Sequence, residues 1–578
     1  MSDRVGIAIR LPSLYNCSSA IPKQPLKVGV IVDSEQATRF VYEFVQWAQA
    51  QKDLIVPHLI VRSCEGVQLN GKNGSPSVSG KTGFLGFIRQ KSFQAISELE
   101  NRRIKKAEYY GDYLERFDLT GLGVGSTKII PFISAEGTSD RFSPEDIQKV
   151  KNEGLDLIVS FTSEIETTEL RRSSRWGVLS LSYPCDGVKR SGPPGFWAVY
   201  SKHESTEFAI QHLTPECHVP NILVSGRLPT KRFYLLNQAA LYTKAFFYLR
   251  ELLNGIAVNG AVPRIRDIQP NPTGCPAIPG LPVQMKYAAQ EGFGFVHGLL
   301  NRTLLKRDYR WGVAYGKTDW QALTMSESCS IPNPPNHYLA DPFVVTEGDQ
   351  DYCFVEDYDY KSSRGSISVY VLRANKAERL GPAIVEPFHM SFPYLFRFGS
   401  RLFMCPETSQ KREIRVYECV HFPLKWKLYK TLMSGISAVD TMIFERDGVW
   451  WLFTNIDPTN TENHCSELFI FYSDHPFDGK WQAHPQNPIF ADSDKGRNAG
   501  ILYDDNSIYR VAQRQGFDSY GKGFSINKIT VLNKNEYSEA GVRDVEPNFF
   551  PNLVGCHHLH SNGKVSVFDY LRFCSTKS

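Results

Sequence analysis

No Cys-x-x-Cys pair occurs among the 12 cysteines, which spread from Cys17 to Cys574, so zinc-ribbon and thioredoxin-like sites lose their ligand spacing. Reduced, buried thiols are expected instead. No run of about 18 apolar residues suggests a membrane span, and residues 1–23 lack the apolar segment of a signal peptide, so a soluble, cytosolic protein is expected. On that expectation the Asn-x-Ser/Thr sequons at Asn16, Asn73 and Asn301 carry no weight. Nor does one sign of charge dominate: 65 Lys and Arg against 61 Asp and Glu leave a formal charge of +4. That balance gives no footprint for nucleic acid or an acidic membrane surface.

What is present is repetition. At 578 residues two or three domains are expected, and the second half repeats one short pattern five times. Similar strand starts fall at Ala340-Asp341-Pro342-Phe343, Ser391-Phe392-Pro393-Tyr394, Val439-Asp440-Thr441-Met442, Arg497-Asn498-Ala499-Gly500 and Gly555-Cys556-His557-His558. They stand roughly 50 to 60 residues apart, the spacing of propeller repeats. Each leads to a hairpin turn, at residues 347–349, 398–400, 446–448, 504–506 and 561–563, flanked by β-branched or aromatic residues. Units too small to bury their own apolar face close radially, which predicts a five-bladed β-propeller over 310–578 with the first strands lining a funnel. Arg310 to Tyr315 is expected to complete the ring by pairing with the last blade.

The first half reads differently. After an extension over 1–25, strands at 26–33, 55–61, 128–133 and 155–160 alternate with helices at 37–51, about 84–107 and 143–153, which argues an α/β domain over 26–260 with a Rossmann-like sheet. Ser143-Pro144-Glu145-Asp146 supplies a cap, a first-turn proline and dipole-matching acids. A helical stretch over 231–255 closes this half, and 261–309 reads as a linker, rich in Pro, Gly and Asn over 262–282, followed by a helix from Lys286. Gly74 to Thr82 has the letters of a phosphate loop, but its first glycine is one residue too far away and no strand precedes it. Gly121-Leu122-Gly123 reads as a turn before the next strand.

Trp176-Gly177-Val178-Leu179-Ser180-Leu181-Ser182, followed by Lys189-Arg190-Ser191-Gly192-Pro193-Pro194-Gly195, resembles the formyltransferase N-terminal domain. There a strand carrying Asn-x-His leads to an Arg-Gly-x-x-Pro loop, and a later Asp-x-Gly supplies the third group. Here Ser180 and Ser182 stand at the Asn and His positions, and His218-Val219-Pro220 is the best match to Asp-x-Gly. The resemblance implies the fold without the activity, because the oxyanion stabiliser, the acid/base and its orienting carboxylate are all replaced. A second pocket around Ser180, Ser182, Asp186, Arg190 and His218 is one expectation; a structural Pro-rich turn is the other.

In the funnel, Asp341 and Asp440 begin inner strands, while Glu356 and Glu407 end second strands. Asp341, Glu407 and Asp440 are the candidate catalytic groups, since glycosidic chemistry needs one carboxyl to move a proton at an oxygen and another to handle the attacking group or tune its neighbour. Glu356, Arg497, Arg510, Gln513, His557, His558 and Asp569 are candidate substrate-binding groups, and Tyr394 or Trp451 candidates for stacking on a sugar. Asp357-Tyr358-Asp359 has the letters of a metal-binding motif, but a hairpin loop is expected there, and no metal site is assigned.

The Ala-Asp-Pro-Phe start resembles furanosidase-type propellers. A longer match, over about 311 to 573, runs from Ala340-Asp341-Pro342-Phe343 through Phe354-Val355-Glu356, Pro406-Glu407-Thr408 and Trp450-Trp451-Leu452-Phe453 to Tyr509-Arg510-Val511-Ala512-Gln513, Tyr520-Gly521 and Phe568-Asp569. It is similar to the propeller domain of the glucosamine inositolphosphorylceramide transferase family. The resemblance implies sugar transfer in glycolipid or surface-polysaccharide synthesis, with a carbohydrate or sugar nucleotide as ligand and a nucleotide sugar as donor. Plant members of that family carry a further glycosyltransferase domain after the propeller, and this sequence ends at Ser578 without one. A glycan- or partner-binding scaffold and a furanosidase-type hydrolase are the alternatives.

Overall fold

A computed structural model describes residues 24–62, 84–105, 110–130, 132–133, 140–162, 168–184, 193–216, 220–263, 278–303, 307–504 and 506–575. The chain forms two compact units, one chiefly of Arg10–Gly226 and Thr230–Gly292, the other chiefly of Phe293–Ser578.

The first unit is a seven-stranded sheet. Its parallel part comprises Leu26–Val32, Leu54–Arg62, Gly125–Ile129, Leu157–Ser160 and Val178–Ser182, in spatial order 3-2-1-4-5. Ser205–Leu213 extends it antiparallel, and Asn221–Pro229 forms the edge. The central strands bury nearly every residue, as strands covered on both faces must. Ser143 Oγ caps the helix Pro144–Asn152 by accepting from Asp146 N at 3.1 Å, as the sequence predicts. Gly123, at φ +72, ends a short 3₁₀ turn before the strand at Gly125.

The helix expected from Lys286 starts earlier, at Leu281. Pro282 belongs to its first turn, where a missing N–H costs nothing, so a residue that read as linker is helical. The phosphate-loop letters at 74–82 and most of the linker lie outside the described residues.

The second unit is five antiparallel sheets. Four blades are consecutive in sequence: the first from His337–Glu347 to Ala377–Ile384, the second from Ser391–Phe398 to Lys425–Ser434, the third from Ala438–Arg446 to Gln482–Ala483, and the fourth from Asn498–Tyr503 to Tyr537–Val545. The fifth is a composite, in which Leu559–Ser561 pairs with Ser566–Ser575, that strand pairs with Arg307–Gly316, and Arg307–Gly316 pairs with Cys329–Ile331. Arg307 opposes Ser575 and Gly316 opposes Ser566, so the ring closes along a ten-residue ladder as expected. Asp357-Tyr358-Asp359, expected on a hairpin loop, instead ends the strand Gln350–Asp359. Buried Asp357 is occupied there by His337 at 2.7 Å and Arg379 at 2.9 Å.

Candidate active site

The inner strands share a defect that periodicity does not reveal. Their ladders slip between Ala340 and Phe343, between Ser391 and Tyr394, and between Val439 and Met442, so each carries a bulge. The residue inside it is left-handed: Asp341 at φ +49, Phe392 at +46 and Asp440 at +48. Such backbone costs a non-glycine residue of order 1–3 kcal/mol and persists only where the surroundings hold it. Here it re-aims the side chain, so blades one and three contribute carboxylates where blade two contributes a phenyl ring.

Asp341 is the most elaborately held of the set. His557 Nε2 lies 3.1 Å from its Oδ1, and on the other side of that imidazole His557 Nδ1 lies 2.9 Å from Asp569 Oδ2. Asp569 also accepts the backbone N–H groups of Asp341, His557 and His558, at 3.2, 2.9 and 3.0 Å. One buried carboxylate therefore ties the bulge of blade one to the broken inner strand of blade five. Asp341, His557 and Asp569 bring ligand-type atoms within 4.8 Å of one another. The contacts along this line are the ion pairs of the His557 ring with Asp341 and Asp569.

The charges differ along this line. Burial opposes protonation of His557, but the carboxylates of Asp569 and Asp341 outweigh it and push its pKa up to about 10. Burial likewise opposes ionisation of Asp341, yet His557, with His558 and Arg497 behind it, holds Asp341 below the ordinary range. The folded value of His557 lies above the free 6.5, so its contribution to stability is complete below about pH 6.5 and is lost as pH rises through about 10. In Asp569→Asn, a histidine NMR titration is expected to show His557 losing its proton well below 10; an unchanged midpoint would contradict the linkage.

The other acids are pushed the opposite way. Glu407 accepts from Ser409 Oγ at 2.7 Å and Ser391 Oγ at 3.2 Å, and burial raises its pKa against the pull of Arg497, with Asp341 adding to the rise. Buried Asp440 is bound by Arg497 Nε at 2.6 Å and Gln513 Nε2 at 3.4 Å. Burial, reinforced by Glu407 and Asp341, still brings Asp440 up to about 7. Glu356 is raised well above the carboxylate range by burial and by Asp341 and Glu407, and accepts from Tyr338 OH at 3.3 Å. Charge on Asp341 thus reaches Glu356, Glu407 and Asp440, and charge on Glu407 reaches Glu356 and Asp440.

Several sequence expectations need correction. Arg510 does not face the funnel: it is fully buried, with Nε and Nη2 on Glu539 at 2.8 and 2.7 Å. His558 is buried edge-on to Phe343 and Phe392, at 4.6 and 5.4 Å, and burial lowers its pKa to about 4. Gln513 and Asp569 are fully buried behind the carboxylates they hold. None of these four offers surface to a ligand. Tyr394 and Trp451, candidates for stacking on sugar, are only 3% and 2% exposed.

The aromatic wall lies elsewhere. Trp311 sits 4.2 Å from the His557 ring, Tyr520 packs edge-on to the same ring at 5.1 Å, and the Arg497 guanidinium lies 4.8 Å over Tyr520. Tyr520 remains 38% exposed. On the blade-one side, Tyr338 stacks on Tyr358 at 4.7 Å beside Glu356. The Tyr520-Gly521 pair was the available signal: Gly521 stands at φ +66, and a Cβ placed on it would come 2.8 Å from His557 Cβ, so no larger residue fits. A separate cavity of about 600 Å³, with Tyr394, Phe444, Trp450 and His560 among its walls, opens toward the hairpin ends of the inner strands and contains none of the four carboxyls.

In the first unit, Ser180 and Ser182 lie on the strand Val178–Ser182, with Ser182 buried. Asp186, Arg190 and His218 fall outside the described residues, so the second pocket is represented by its serines. The Pro194-Gly195 turn is pinned by Gln238 Nε2 and Asn237 Nδ2, which donate to its carbonyls at 3.0 and 3.1 Å.

Residues 319–548 match the family model described as glucosamine inositolphosphorylceramide transferase 1, N-terminal. The protein of that name from Oryza sativa subsp. japonica is 34% identical over 269 residues, covering 43% of this chain and 36% of the relative. The one from Arabidopsis thaliana is 36% identical over 214 residues, covering 36% and 28%. The matched region spans about a third of those relatives. Among solved structures, the catalytic domain of a Coprinopsis cinerea GH62 α-L-arabinofuranosidase aligns with 46% of this chain and 97% of its own at 12% identity and a TM-score of 0.32.

Proposed function

We propose that the funnel is a glycosyl-transfer site of glycolipid or surface-polysaccharide synthesis, taking its sugar from a nucleotide sugar. The observation that carries this reading is the split of protonation states among carboxyls from three blades: Asp341 held ionised beside Glu356, Glu407 and Asp440 held toward the neutral form. Pairs driven apart in this way mark a base and an acid. Asp341 takes the proton from the acceptor hydroxyl as its oxygen bonds the sugar carbon. Glu407, cradled by two hydroxyls, returns a proton to the departing oxygen. Asp440, bound by Arg497, sets the field between them, and the exposed face of Tyr520 receives the sugar ring. The match of residues 319–548 to the family model, and the similarity of part of the chain to two named transferases, support the same class.

The α/β unit fits a formyltransferase-like domain without formyl transfer: its parallel strand order and antiparallel continuation support the fold, and serines replace the catalytic pair.

A panel of nucleotide sugars and simple glycosides read by thermal shift tests the ligand. A true ligand at about 100 times its dissociation constant adds about 2.7 kcal/mol. Tyr520→Ala is expected to weaken that ligand by about 0.5–1.5 kcal/mol. An equal shift in the variant would remove Tyr520 from the site, and no shift from any sugar would remove the reading.

A further inference from the structure

Among the described residues, the α/β unit carries an apolar surface that their packing leaves uncovered. The helix Phe84–Ile104 opens with Phe84-Leu85-Gly86-Phe87-Ile88, and Phe84, Leu85 and Phe87 are 78%, 71% and 56% exposed. The start of the helix Leu281–Thr303 lies beside it: Arg89 Nε donates to Pro279 O at 3.1 Å and Gln284 Nε2 donates to Arg89 O at 2.9 Å. That contact brings Met285, 72% exposed, to the same end. Farther along the first helix Phe93 is buried against Phe196 and Tyr234, while Leu99 is again exposed, apart from the group at the opening turns.

Charge says what covers it. Neither helix has an acid in its first turn, and the basic residues Arg89, Lys91 and Lys286 flank the cluster. Lys91 Nζ lies 5.8 Å over the Phe87 ring, so its ammonium group stands at the edge of the apolar surface, and Lys286, next in sequence to Met285, has its Nζ 5.3 Å over the Tyr200 ring. Bulky apolar side chains beside lysines suit the headgroup boundary of a bilayer. Two copies meeting through this face would bring like charges together around it, whereas an anionic surface neutralises them.

We propose that this face docks the protein on an anionic lipid bilayer, with Phe84, Leu85, Phe87 and Met285 entering the headgroup boundary and Lys91 and Lys286 lying over the phosphates. The near-balanced charge of the whole chain gives no sign of this, because the feature is local. The docking is independent of the funnel's chemistry, so either can fail without the other.

Flotation of the full chain with phosphatidylcholine vesicles, with and without phosphatidylserine, tests it. The wild type is expected to float with the anionic vesicles, less with the neutral ones, and less as salt is raised. Phe84→Ser with Phe87→Ser should lower the bound fraction roughly tenfold or more. Lys91→Gln, which leaves the apolar side chains in place, should lower it about fivefold. Circular dichroism confirms that these surface variants fold. The proposal is overturned if the wild type stays with the free protein in both vesicles, if the double serine variant binds as well as wild type, or if the double variant instead converts a dimer to a monomer.

Discussion

Replacing Asp341 by Asn is expected to lower sugar transfer by about 10²–10⁴-fold while leaving ligand affinity within a few fold. The amide has nearly the shape of the carboxylate, and asparagine tolerates the left-handed backbone at φ +49, so the bulge keeps its form. What disappears is the one acid among Asp341, Glu356, Glu407 and Asp440 that is held below the ordinary carboxylate range. Burial works against that charge, and His557 at 3.1 Å overcomes it, with His558 and Arg497 adding to the effect. An amide at the same place cannot take the proton of an attacking hydroxyl. Glu356, Glu407 and Asp440 cannot substitute for it, since burial and mutual repulsion drive all three toward the neutral form. Binding should survive because the aromatic wall of Trp311 and Tyr520 is untouched.

The largest effect on stability is expected at Arg510. The sequence places it beside funnel residues, which predicts a loss of binding in Arg510→Ala; the structure predicts a loss of folding free energy instead. Its side chain and that of Glu539 are 0% and 4% exposed and meet through two hydrogen bonds, while Nη2 also donates to Lys495 O at 2.5 Å. Truncation strands Glu539 in the protein interior, which costs about 3–5 kcal/mol. Arg510→Met combined with Glu539→Gln removes both charges, keeps a partner for Tyr537 OH, and should recover most of that loss. Chemical denaturation of the three variants decides it; a loss under about 1 kcal/mol for Arg510→Ala would show the pair to be better solvated than its burial indicates.

The propeller was legible because its signal is redundant. Five strand starts, five turns and the closing segment at Arg310 to Tyr315 each point to the same ring, and all of the described ones lie where the repeat puts them. Asp341 and Asp440 stand at equivalent places at the starts of inner strands, whereas the same place in blade two holds Phe392 and Glu407 ends the second strand of that blade. The bulges were not legible, because a left-handed residue inside a strand leaves no trace in a period of two; Phe392 shows that even the residue type varies there. The roles of Asp569, Gln513 and His558 were misread because lying near the funnel does not fix whether a side chain meets ligand or holds a neighbour. Only the hydrogen bonds around Asp569 separate the two. In the α/β unit the strand alternation sufficed for the sheet, whereas the helix start at Leu281 was hidden by a proline that a first turn accepts.

The most direct test of the catalytic funnel is transfer of a labelled sugar from a nucleotide sugar to a glycolipid or polysaccharide acceptor, measured for wild type and Asp341→Asn at equal ligand occupancy. Transfer by the wild type and its collapse in the variant, with binding retained, is the predicted result. Equal transfer by both proteins, or sugar binding by both with transfer by neither, would contradict it and leave the funnel a binding site.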